Sequence, residues 1–301
     1  METIEKPFII SNTESICIDK LKDEHIIPVF SKDNTPLISQ YQLIDSTAKV
    51  MEQLGFKYND PQIRVSHPIM GRIPSAKDKK ALDLLDHEKT LYYERMMYLF
   101  QIPEIRNTVN NQELSLVFGG IKSYSWDNLG KDHRSQQHFK FFIGFQVWIC
   151  SNLCVSTDGV VLDFRTNSVN LIEHQIKLLT ETFNPDKQLN WLKSLEDYSL
   201  SEDQFAHFIG RCRMYNHLPD KQGIPELSIT DSQISNVVKG YYSDSTFSQK
   251  QGNISLWSLY NLLTEANKSS YIDGFLDRGV NAQQISNELI RGLETNQSWF
   301  L

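Results

Sequence analysis

Residues 138–159, HFKFFIGFQVWICSNLCVSTDG, are the most apolar and most strand-like run in the chain. In an extended backbone Phe139, Phe141, Ile143 and Phe145 fall on one side, and Lys140, Phe142, Gly144 and Gln146 on the other. This alternation of aromatic and β-branched residues predicts a half-buried strand. Val147-Trp148-Ile149-Cys150 continues it with apolar residues on both sides, as in a central strand. Residues 113–124, ELSLVFGGIKSY, read as a second strand, in which Gly119-Gly120 predicts a bulge or a close backbone approach. The polar link 125–137 carries Asn128, Gly130, Lys131 and Asp132, which is hairpin-loop chemistry. The two strands form an expected antiparallel pair, ended by the turn Thr157-Asp158-Gly159.

Around this pair the chain divides into two halves. Before it lie short strand-like pieces, Phe8-Ile9-Ile10, Ile16-Cys17-Ile18 and residues 25–30. Lys32-Asp33-Asn34 reads as a turn, with Pro36-Leu37-Ile38 as its returning arm. Residues 41–54 have helical spacing and stop at Gly55. Residues 81–101 predict a long helix that ends near Pro103, with Asp86-His87-Glu88 early in it. After the pair, helices are predicted over 168–183, 189–195, about 201–217, 233–242 and 254–267. Ser201 caps the third of these, Thr230 or Asp231 the fourth, and Asn281 opens a last helix to about Leu293. The fold class is therefore α+β. Residues 1–160 are expected to be mainly sheet with inserted helices, and 161–301 a helical region packed on the same core.

Composition narrows the function. With 40% apolar and 22% charged residues in 301, the chain can bury a large core. No apolar run reaches the roughly 20 residues of a membrane span. The N-terminus lacks the basic-then-apolar pattern of a signal peptide. Four cysteines, Cys17, Cys150, Cys154 and Cys212, make no disulfide framework, so reduced thiols and a cytoplasmic location are expected. A net charge of −7 argues against a broad basic face for duplex DNA, though a local basic groove stays open.

Familiar catalytic signatures are missing: no GxxxxGK[ST], no GxGxxG after a strand, no HExxH, no EF-hand loop and no GxSxG. Cys150 and Cys154 form a CxxxC pair whose side chains would share one face of a strand. Zinc would need two more ligands, and only His133 and His138 lie near, so buried thiols without metal or cofactor are expected. His87 beside two carboxylates has the makings of a general base, but acids at a helix start are favoured without any catalysis. The balance leans away from an enzyme.

Binding is the stronger expectation. The segment His67–Pro74, HPIMGRIP, reads as a loop stiffened by two prolines, in which Ile69 and Met70 would be costly to leave in water unused and Arg72 offers a fork-shaped donor; the structural alternative is a rigid loop packed over the core, with Arg72 paired to Glu88 or Asp86. The polar run Asn267-Lys268-Ser269-Ser270-Tyr271-Ile272-Asp273 follows an apolar helix. The candidate binding residues are His67, Met70, Arg72, Lys89, Arg95, Asn267, Lys268 and Tyr271.

Four stretches together, HPIMGRIP (67–74), HEKTLYYERM (87–96), residues 142–159 and ANKSSYIDGFLDR (266–278), resemble the bacterial domain-of-unknown-function family numbered thirty-eight seventy-one. Residues 27–37 and the helices from Trp257 onward are more weakly similar to the phage- and plasmid-like family numbered nine thirty-two. The resemblance implies a role in the biology of conjugative transposons and similar mobile elements, and no reaction. Two expectations follow. One is a non-catalytic protein that handles single-stranded nucleic acid, for which Arg72, Lys89, Arg95 and Lys268 would cluster in one groove. The other is a factor that binds and antagonises a host defence or regulatory protein, which suits the acidic balance. Self-association into a homo-oligomer is open under either.

Overall fold

A computed structural model describes residues 6–24, 37–76, 78–127, 136–248 and 252–301. The predicted strand 25–30, the turn Lys32-Asp33-Asn34, Pro36, and the loop residues Asn128, Gly130, Lys131, Asp132 and His133 lie outside them. In chain order the elements are β1 (Glu14–Ile16), α1 (Ile18–Glu24), α2 (Gln40–Gln53), β2 (Gln62–Val65), β3 (Pro68–Arg72), β4 (Lys89–Tyr93), β5 (Arg95–Val109), β6 (Gln112–Ser123), β7 (Gln137–Val147) and β8 (Leu153–Thr166). Then follow α3 (Val169–Thr182), α4 (Pro185–Ser194), β9 (Ser199–Leu200), α5 (Glu202–Met214), α6 (Asp231–Ser243), β10 (Ile254–Ser255), α7 (Leu256–Asn267) and α8 (Ile272–Thr295). The α+β class is as expected. Among the described residues no helix is long and apolar enough to cross a membrane.

A six-stranded antiparallel sheet, ordered β1-β2-β5-β6-β7-β8, forms the centre. Phe139, Phe141, Ile143 and Phe145 of β7 share one face and Phe142 takes the other, as the alternation predicts, but both faces are buried. The first face carries α2, α3 and the α4–α7 helices. The second is covered by Phe8, Ile9 and the first half of α8, through Ile272, Phe275, Leu276 and Val280. Phe8-Ile9-Ile10 is thus no strand; it packs as an irregular segment, held by Ile10 N donating to the Lys268 carbonyl. Gly119 marks a close approach. A Cβ there would collide with the Tyr98 carbonyl and the Phe142 ring, from neighbouring strands.

Four expectations need correction. The predicted helix 81–101 is absent: 3-10 turns at Ala81–Asp83 and Asp86–Glu88 lead into β4 and β5. Residues 96–100 are all buried, so they show no alternation, and a continuous apolar run is ambiguous between a buried helix and a doubly covered strand. Pro103 does not end the element but sits where the β5–β6 register shifts, between Ile102 and Arg106. The strand β7 stops at Val147; Trp148 and Ile149, expected in a central strand, stand in the turn at 49% and 55% exposure. The Arg106 guanidinium lies 5.1 Å over the Trp148 ring, and Ser151, at φ 58°, reverses the chain. Thr157-Asp158-Gly159 lies inside β8, beside a shift in the β7–β8 register.

Local capping signals are more faithful. Ser201 and Thr230 each close a capping box, with Gln204 and Gln233, at the starts of α5 and α6. Asn281 does not cap: α8 begins at Ile272, and buried Asn281 donates to the Glu226 carbonyl and accepts from Ser228 N.

Candidate functional site

The HPIMGRIP segment is not a loop. Its core is β3, paired antiparallel with β4 from Pro68↔Tyr93 to Arg72↔Lys89, in a two-stranded ribbon separate from the main sheet. Proline is tolerated because Pro68 opens the strand. Gly71 lets the partner strand close, since a Cβ would meet Thr90 Oγ1 at 2.6 Å. The residues linking β3 to β4 form the tip of this arm. Leu82 is 98% exposed there, Leu85 55%, and Met70 on β3 54%. His67 is exposed at the start of β3.

Three cations of the arm, Arg72, Lys79 and Lys89, are already engaged, and Lys80 stands exposed. Arg72 donates to the Lys79 carbonyl and Lys79 pairs with Glu88. Lys89 reaches Asp86 Oδ1 at 2.6 Å. The acidic cluster around exposed His87 therefore neutralises neighbouring lysines, in a 3-10 turn rather than at the start of a long helix.

The arm joins the sheet at a charged base. Ser66 Oγ accepts from Arg95 N at 3.1 Å. The Arg95 guanidinium reaches Glu94 Oε2 at 2.6 Å and Asp273 Oδ2 at 2.5 Å, a partner 178 residues away. Next to it, Lys140 Nζ bonds Asp277 Oδ2 at 2.6 Å and the Asp273 carbonyl at 2.9 Å, beneath the Trp126 ring. His138 packs against the same ring and bonds the Leu162 carbonyl at 3.0 Å. Burial holds its pKa below the usual histidine value. Tyr271, 60% exposed, stands just ahead of Asp273.

Of the eight candidate residues, His67, Met70, Arg72 and Lys89 thus share the arm, and Arg95 and Tyr271 belong to its base. Asn267 and Lys268 go elsewhere. Asn267 is buried and donates to the Phe275 carbonyl at 3.0 Å. Lys268 is 2% exposed, with its ammonium on the Cys150 carbonyl and Glu265 Oε2. Both tie the α7–α8 junction together; neither is presented to a ligand. Residue patterns alone missed Lys140, Asp273 and Asp277. The signal was a lysine inside an apolar strand, because lysine is almost never buried without a partner. Lys122 on β6 repeats it, 2.5 Å from Asp127 Oδ2 with both side chains fully buried.

Cys150 lies in the β7–β8 turn and Cys154 on β8, so they do not share a strand face as expected. Burial pushes the Cys150 thiol up to about 11 and raises Cys154 further, away from nucleophilic thiolate. Among the described residues no three His, Cys, Asp or Glu side chains converge as metal ligands would.

Known proteins place the chain only at the family level. No curated protein and no solved structure matches it. Residues 2–301 match the family described as "Domain of unknown function, B. Theta Gene description (DUF3871)". With that match running over nearly its whole length, the chain belongs to the DUF3871 family.

Proposed function

We propose that this chain is a non-catalytic binding protein whose β3–β4 arm docks on another protein. One observation carries the reading: the arm exposes the apolar side chains Met70, Leu82 and Leu85, while its cations Arg72, Lys79 and Lys89 are already bonded within the chain. A large apolar side chain left almost wholly in water gains from being covered. A nucleic-acid site has the opposite need, several cations free to replace counterions on phosphates. Arg72, Lys89, Arg95 and Lys268 do not form one open groove here, and Lys268 is buried. The net charge of −7 adds repulsion. The resemblance to proteins of mobile elements suits a factor aimed at a host defence or regulatory protein.

The test is affinity capture from a host lysate by wild type and by Leu82→Asp/Leu85→Asp. We expect a stoichiometric protein partner that the variant loses, with an unchanged melting midpoint, because both side chains already face water. Co-purifying nucleic acid would reverse the reading, if its anisotropy-measured affinity fell with salt and with Arg72→Ala but ignored the leucine changes.

A further inference from the structure

We infer that β8 is a dimer edge: two copies of the chain join their sheets antiparallel along this strand, with α3 of each lying side by side across the twofold axis. Three independent features meet at this edge. The first is the open ladder. β8 is the last strand of the sheet, and among the described residues no strand pairs with its outer side. Its end, residues 160–166 (VVLDFRT), contains no proline or lysine to blunt pairing. Val160, Val161, Leu162 and Phe164 there are only half-buried. The β7–β8 register is irregular between Phe139 and Phe141, but Phe164, Arg165 and Thr166 keep an unbroken pairing with β7.

The second feature is an apolar stripe on α3. Leu171 and Leu178 are 52% and 42% exposed, although Ile172, Ile176 and Leu179 of the same helix face the core. Glu173 reaches Lys49 of α2 and so marks the α2 side of the helix. At about 100° per residue, Leu171 and Leu178 both lie on the opposite side. Because α2 packs over β6 and α3 over β7 and β8, the side away from α2 is the side of the open edge.

The third feature is charge. Asp163 and Arg165 flank Phe164, with side chains 69% and 51% exposed; within one chain Arg165 Nε donates to Asp163 Oδ1 at 2.8 Å, a pair the second copy would share or exchange. An antiparallel copy centred on Phe164 places Asp163 opposite Arg165 of the second copy, twice. A twofold axis normal to the sheet also keeps both α3 helices on one face and sets Leu171 of one against Leu178 of the other. Such an isologous contact requires a surface complementary to itself, and both the charges and the leucines have that property. A foreign strand would be matched by neither.

Sedimentation velocity of the full chain from about 1 to 100 μM, the range in which interfaces of standard size assemble, tests this. Wild type should sediment at twice 34.9 kDa. Leu171→Lys/Leu178→Lys should sediment as a monomer with an unchanged far-ultraviolet circular dichroism spectrum, since both positions already face water. Asp163→Arg should weaken the dimer by about tenfold, the scale of a close charge reversal at an exposed pair. Asp163→Arg/Arg165→Asp should restore it. A wild type that stays monomeric throughout, or a dimer that survives the paired lysines, overturns the proposal; failure of the charge swap to restore association overturns the register.

Discussion

Lys122 keeps an ammonium inside the protein. Asp127 Oδ2 lies 2.5 Å away, Phe139 and Tyr124 present ring faces at 4.4 and 5.3 Å, and Asp127 Oδ1 accepts from His138 N at 2.8 Å. Burial pulls the lysine pKa down to about 8, against the upward pull of Asp127. The native state therefore sheds this proton before the unfolded chain does. Between about pH 8 and 10.5 the unfolded chain holds more protons, so this group makes stability rise with pH across that window. Urea midpoints of wild type and Lys122→Met at pH 7.5 and 10.5 isolate the effect. The wild type should gain on the variant by up to roughly 3 kcal/mol over that interval. A difference flat in pH would mean that Lys122 is hydrated in solution. The same side chain shows what one residue type can disclose: a lysine in ELSLVFGGIKSY signals a buried partner, but nothing in the motif names Asp127.

At the scale of elements, β7 behaves as its pattern predicts. Phe145 is fully buried between β6 and β8, opposite Leu116 and Cys154. Phe145→Ala should cost about 3–5 kcal/mol, read as a fall in denaturant midpoint at unchanged slope. A loss below about 1 kcal/mol would place the organising core elsewhere. β5 is the contrary case. Its residues 96–100 repeat no period because both faces are covered, and the Asn110-Asn111 turn that pairs it with β6 lies beyond the stretch that looks helical. Both asparagines take positive φ, 49° and 62°, the two-residue hairpin geometry that twisted strands prefer. That turn was the legible signal for a β5–β6 hairpin, overridden by the apolar spacing upstream of it.

At the scale of the molecule, one apolar cluster runs from Ile16 and Leu43 through β7 to Leu289 and Phe300. α8 bridges both sides: its first half covers the second face of the sheet and its second half packs with α5 and α7 in the first cluster. A chain built this way should unfold in one step, with coincident near- and far-ultraviolet transitions. Residues 1–160 alone should not fold, since they end within β8 and lack α8. Two separated transitions, or a cooperatively folded fragment, would show that the halves are independent.

The amino-acid sequence by itself determined the elements whose signals are local. The β6 and β7 strands follow from alternation, and α5 and α6 from a serine or threonine with glutamine three residues on. It also determined that this family member carries no familiar catalytic signature. Tertiary structure decided what depends on distant partners. Whether residues 89–101 became helix or strand turned on burial of both sides, and whether Trp148 was core turned on where the chain reversed. Lys268 reads as a surface cation until the Cys150 carbonyl, 118 residues earlier, takes its proton donors. The base of the arm exists only because Arg95 meets Asp273. Capping and alternation act through neighbours a few residues apart and leave a mark in composition. An ion pair or a covered face is made by chain segments that share no local pattern, so it becomes visible only when the fold brings them together.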